Sequence, residues 1–159
     1  MITEICKECR NFFAADRATK VLFGAEFGEF ALGGGVIEVN GNYVAGQYVA
    51  ITGSALNDGV YRVAGFSDGV MTLEGELFNE SWAGVIYSLR IPRDFIALAE
   101  KIKAFAESDA GQPGNITSAS FGIQSVSYGT NSAGVRAGWQ DTFRAELNKY
   151  RRMFSDIDV

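Results

Sequence analysis

The feature that most constrains the fold is a run of short apolar or alternating segments between Gly24 and Leu89, punctuated by glycine at close intervals. Phe27 to Leu32, Val36 to Val39, Tyr48 to Thr52, Val60 to Val63, Val70 to Leu73 and Val85 to Leu89 are too short for helices and rich in β-branched and aromatic residues. Asn40-Gly41, Asp58-Gly59, Asp68-Gly69 and the triplet Gly33-Gly34-Gly35 supply the positive-φ positions that tight turns need. Residues 24–90 are therefore expected to form a β-rich block of five or six strands, an antiparallel meander or small barrel.

The flanks follow a different period. Ile2, Ile5, Cys6, Cys9, Phe12 and Phe13 recur at spacings of three and four, which predicts an amphipathic N-terminal helix with Thr3 as its cap. After Ile91-Pro92 the stripe Phe95, Leu98, Ala99, Ile102, Phe105 and Ala106 predicts a second helix, ended by Gly111 and Pro113. Ala110 to Val135 carries no charged residue, yet Ile116, Phe121, Ile123, Val126 and Tyr128 give it apolar anchors, so an extended arm or hairpin is expected. From Gly138 to Phe154, Trp139, Phe143, Leu147, Tyr150 and Phe154 share one helical face, which predicts a third helix before a frayed terminus. The fold class expected is α+β: N-terminal, middle and C-terminal amphipathic helices with an inserted small antiparallel sheet or barrel and an extended arm. Residues 1–23, 24–90 and 91–159 would be parts of one compact unit.

Charge is distributed unevenly. Between Gly24 and Leu89 there are eight acids against one base, Arg62, whereas Arg136 to Arg152 holds five bases against Asp141 and Glu146. The net charge of −5 disfavours tight wrapping of nucleic acid, which depends on cationic side chains displacing counterions from phosphates. No apolar run is long enough to span a bilayer and the N-terminus lacks a signal-peptide core, so a cytoplasmic chain with free thiols and no membrane partner is expected.

Chemistry-bearing patterns are few. The chain has no histidine, which removes the commonest activator of a serine or cysteine nucleophile. Cys6-Lys7-Glu8-Cys9 has metal-like spacing but no second pair to complete a zinc site, and the glycine triplet lacks the Lys-Ser/Thr of a phosphate loop. Neither cofactor nor metal nor catalytic residue is expected. Tyr43, Tyr48, Tyr61 and Trp82 could form a platform for sugars, which makes a small β-rich carbohydrate-binding module the alternative reading. Aromatic residues bordered by arginine are characteristic interface anchors, which directs attention to the C-terminal stretch, whose stripe has two readings of equal weight: a partner surface, or a cover for the domain's own core.

The run Thr117-Ser118-Ala119-Ser120-Phe121-Gly122-Ile123-Gln124-Ser125-Val126-Ser127-Tyr128-Gly129, followed by an aromatic and basic segment ending Leu147-Asn148-Lys149-Tyr150-Arg151-Arg152, resembles the C-terminal part of head-tail connector (adaptor) proteins of long-tailed bacteriophages and prophages. The resemblance covers about 45 residues, and more loosely the helix from Pro92 to Ser108. It implies a virion structural protein, assembled in the host cytoplasm, whose homo-oligomeric ring, usually of twelve subunits, joins the portal to a head-closure or tail-completion protein and continues the DNA channel. On that reading Phe121, Tyr128, Trp139, Phe143, Arg144, Tyr150, Arg151 and Arg152 face partners. The β-block departs from the largely helical bundles of many members.

Overall fold

The computed structural model describes residues 1–16, 18, 19, 21–108, 118–121, 124–127 and 138–157. The chain forms two compact units, one of Ile2–Pro92 with Arg152–Val159 and one of Met1 with Arg93–Arg151.

The first unit is built on a closed antiparallel barrel of six strands: β1 (Ala25–Gly33), β2 (Val36–Glu38), β3 (Tyr48–Thr52), β4 (Gly59–Ser67), β5 (Val70–Glu74) and β6 (Glu80–Leu89), in the order β1-β2-β5-β4-β3-β6. The last strand closes it, since β6 pairs with β1 from Glu80 to Tyr87 on one side and with β3 from Val85 to Leu89 on the other. Closure leaves one interior, filled by residues such as Phe30, Leu32, Ile37, Val49, Ile51, Val63, Met71, Trp82 and Ile86. The alternation read from the sequence matches this: in β1, buried Phe30 and Leu32 are separated by exposed Glu29, Ala31 and Gly33.

Two of the predicted turns form as tight hairpins. Gly34 and Gly35, at φ 61° and 81°, join β1 to β2, and Asp68 and Gly69, at 52° and 78°, join β4 to β5. The other two do not. Asn40-Gly41 lies in a long connection because β2 and β3 are not neighbours, and its backbone N–H groups donate to the Glu26 carboxylate at 2.6 and 3.0 Å. Gly59 is the first residue of β4, and Asp58 accepts from the Ser54 N–H at 2.8 Å.

The expected α+β framework of three amphipathic helices around an inserted sheet is corrected by this architecture. The barrel has its own complete core, and the described chain is mostly this closed six-stranded barrel together with a few short helices. The N-terminal helix α1 spans Ile2–Cys9 and buries Ile5, Cys6 and Cys9. Thr3 lies inside its first turn rather than capping it, and its hydroxyl accepts the Val60 N–H of β4 at 3.0 Å.

In the second unit, α2 (Arg93–Glu107) buries Phe95, Leu98, Ala99 and Ile102 as its spacing predicts. Within Ala110 to Val135 the described residues form a two-stranded antiparallel pair, β7 (Ser118–Phe121) and β8 (Gln124–Ser127), with Ser118 opposite Ser127 and Phe121 opposite Gln124. The single C-terminal helix expected from Gly138 to Phe154 is replaced by two short ones, α3 (Trp139–Thr142) and α4 (Arg144–Asn148), with Phe143 between them at φ −102°. Among the described residues no helix is long and apolar enough to cross a membrane.

Candidate interaction surfaces

The predicted partner residues have divergent fates. Phe143 and Tyr150 are buried, and each stacks edge-on against α2: Phe143 on Phe105 with ring centres 5.5 Å apart, Tyr150 on Phe95 at 4.8 Å. They complete the core of their own unit instead of presenting anchors. Asp94, at the start of α2, accepts hydrogen bonds from the Tyr150 hydroxyl and from Lys149 Nζ at 3.1 Å. These two bonds, Tyr150's first, hold the Asp94 carboxyl below its ordinary range. Arg144 is exposed and pairs with Asp141 at 2.6 Å, Trp139 is half-buried and Arg151 is exposed. Phe121 stands on β7, and Tyr128 lies outside the described residues.

Arg152 belongs to the barrel unit, where it is part of a clasp that the sequence did not suggest. Its N–H donates to the Cys9 carbonyl at 2.9 Å, and its guanidinium reaches the Ala15 carbonyl at 3.3 Å and Asp156 at 3.5 Å. Asp156 accepts the N–H groups of Phe12 and Ala14 at 2.7 and 3.0 Å, and its side chain is 3% exposed. Ile157 is buried beside it. The terminus expected to fray is thus held through Ile157, because the segment after α1 has N–H groups that need an acceptor. The motif Arg-x-x-x-Asp, with spacing suited to one ion pair, is the only signal the sequence carries for this.

The acids of the β-block include two loop staples. Glu80 accepts from the Ser54 hydroxyl, from the Ala55 and Leu56 N–H groups at 2.8 and 3.2 Å, and from Asn57 Nδ2 at 3.0 Å. The Ser54 bond foremost lowers its pKa. Glu26 binds Asn40, Gly41 and the Tyr43 hydroxyl. Burial, then this contact with Glu26, pushes the Tyr43 phenol up. Carboxylates so engaged are structural acceptors, and among the described residues no group of three or more metal-ligating side chains is assembled. Cys6 and Cys9 are buried and form no disulfide, and desolvation, with Cys9 and Asp156 adding to it, pushes the Cys6 thiol far above its ordinary value. A thiol so protected from ionising is a poor nucleophile and metal ligand.

Comparison with protein-family models, curated proteins and solved structures finds no match to this chain.

The sugar platform is not assembled. Trp82 and Tyr43 are buried, Trp82 against Phe30 at 5.5 Å and Tyr43 against Phe66 at 5.7 Å, and Tyr61 packs on the same core. Tyr48 alone of the four alternates outward, next to inward Val49.

The barrel unit does expose other apolar side chains. Phe27 on β1 and Met153 and Phe154 in the terminal segment are 73%, 78% and 78% exposed. The wall of β1, β2 and β5 also carries a groove of about 500 Å³ lined by Ala31, Gly33, Val36, Ile37 and Val70 with Glu29 and Glu38.

Proposed function

We propose that this chain is a structural connector of a phage neck, forming a ring that joins the portal to the next protein and continues the DNA channel. The observation that carries the reading is the β7–β8 pair within the stretch that resembles connector proteins. A two-stranded sheet is marginal alone in water, and each of its strands has one hydrogen-bonding edge without a strand partner among the described residues. Such an edge can add a strand from a neighbour, a general way of joining subunits. The order of helix, uncharged strand pair and short aromatic-basic helices from Arg93 to Asn148 supports the reading. A barrel with excess acid is a suitable body beside a DNA channel, because it repels phosphate rather than holding it.

The purified full-length chain, alone and mixed with the portal protein of its phage, tests this by electron microscopy. Rings are expected in at least one of the two samples. Replacing Ala119 by proline in β7 removes a backbone donor from the pair. That variant is expected to keep its barrel, seen as an unchanged strand signal in circular dichroism, and to lose assembly. Unimpaired assembly by Ala119→Pro would refute the role given to the strand pair.

A further inference from the structure

Two exposed surfaces of the barrel unit complement each other. The first is the groove in the β1-β2-β5 wall. Leu32 and Ile37 point inward, so by alternation Ala31, Gly33, Val36 and the β5 residue Val70 point outward and give it a small-residue, apolar lining. Glu29 and Glu38 give it negative charge, and Val36 and Val70 are both exposed. β2 is three residues long and pairs with β1 only at Leu32 and Gly33, which leaves this wall open beside Ala31.

The second surface is a knob. After α1, Arg10 turns the chain at φ 52°, and its guanidinium donates to the Met153 carbonyl at 3.0 Å. This fixes an exposed cation beside the exposed side chains of Met153 and Phe154. The segment is anchored by the neighbouring Arg152 and Asp156 contacts, so the apolar pair is presented without a large ordering cost.

The two surfaces belong to different walls of the barrel. The knob follows α1, which packs on β4 where Thr3 accepts the Val60 N–H, whereas the groove lies on β1, β2 and β5, so the two are separate surfaces of one chain. We propose that they meet between copies: Met153 and Phe154 of one copy seat in the β1-β2-β5 groove of the next, with Arg10 against Glu29 and Glu38. This rests on the ring reading and names its contact. Self-pairing of either surface is disfavoured by like charge, four carboxylates at a groove-to-groove contact and two guanidinium groups at a knob-to-knob contact. A knob-to-groove contact is heterologous, and its repetition generates a closed ring when the rotation between copies closes.

Two substitutions at exposed positions, Glu38→Arg and Phe154→Ser, test it by sedimentation velocity, with thermal melting to check that each variant folds. Each is expected to raise the concentration needed for assembly by roughly tenfold or more, since a lost interface anchor commonly costs at least that factor. An equimolar mixture of the two variants has one intact knob on one chain and one intact groove on the other, so it is expected to pair and to sediment as a larger species than either variant alone. Variants that assemble like the wild-type chain, or a mixture that does not pair where the wild-type chain assembles, would overturn this inference and leave the ring reading standing. A wild-type chain that assembles neither alone nor with its portal would overturn both.

Discussion

Asp156 ties the terminal segment to the turn that follows α1. Its carboxylate is nearly inaccessible, accepts two main-chain N–H groups from the segment after α1 and faces Arg152. Replacing it by alanine leaves two donors unsatisfied and one cation without its counter-charge. A loss of about 3 kcal/mol is expected, measured as a lower midpoint in urea unfolding. Arg152 shows how a residue can be misjudged from sequence: a basic residue at the end of an aromatic stripe reads as a partner contact, but the stripe ends sooner than its spacing indicates. Phe143, Leu147 and Tyr150 follow the helical period, whereas the backbone after Asn148 leaves the helix and the chain docks at Cys9. Local periodicity has no information about an acceptor as far back in the chain as Cys9. Gly84 is a second residue with a specific role. A Cβ there would stand 2.1 Å from the Thr52 carbonyl oxygen and 2.9 Å from the Trp82 ring, so β6 can lie against β3 only with glycine at this position. Gly84→Ala is expected to destabilise the barrel by about 2 kcal/mol, seen as a lowered thermal midpoint.

At the level of elements, the strands were largely legible and their order was not. Apolar alternation and glycine turns identify β1, β2, β3 and β5 to within about two residues, because those signals are local, whereas β4 runs on to Ser67 and β6 begins at Glu80, well beyond the segments read as Val60 to Val63 and Val85 to Leu89. Which strand closes the barrel depends on β6 being long enough to serve two neighbours, a property visible in pairing and not in composition. Asn40-Gly41 resembled a hairpin turn because its residue types suit one. Its amides instead serve as donors to Glu26, a contact between segments that turn chemistry alone does not encode. The helix α2 was legible throughout, and its start supplies a pH-dependent contact. Asp94 has its pKa lowered by Tyr150 and Lys149, so its contribution to stability is present above the unfolded-state value near 4 and is lost as pH falls through the lower folded-state value. Acid titration of the wild-type chain, followed by aromatic circular dichroism, is expected to show loosening of Tyr150 below about pH 4. Asp94→Asn is expected to remove that transition, and an unchanged acid profile in the variant would show that the contact contributes nothing.

At the scale of the whole molecule, the C-terminal stretch divides into parts with separate duties. Its aromatic residues Phe143 and Tyr150 build the second unit's core, Arg152 and Asp156 complete the barrel unit, and Met153 and Phe154 remain exposed. The β7–β8 pair carries the proposed joining edge. An acidic barrel bearing a cationic, apolar knob has the asymmetry that directional assembly needs. Native mass spectrometry of the full-length chain, with and without its portal, tests the central claim most directly. The connector reading predicts a discrete closed oligomer of one subunit number in at least one sample; a strict monomer in both would contradict it.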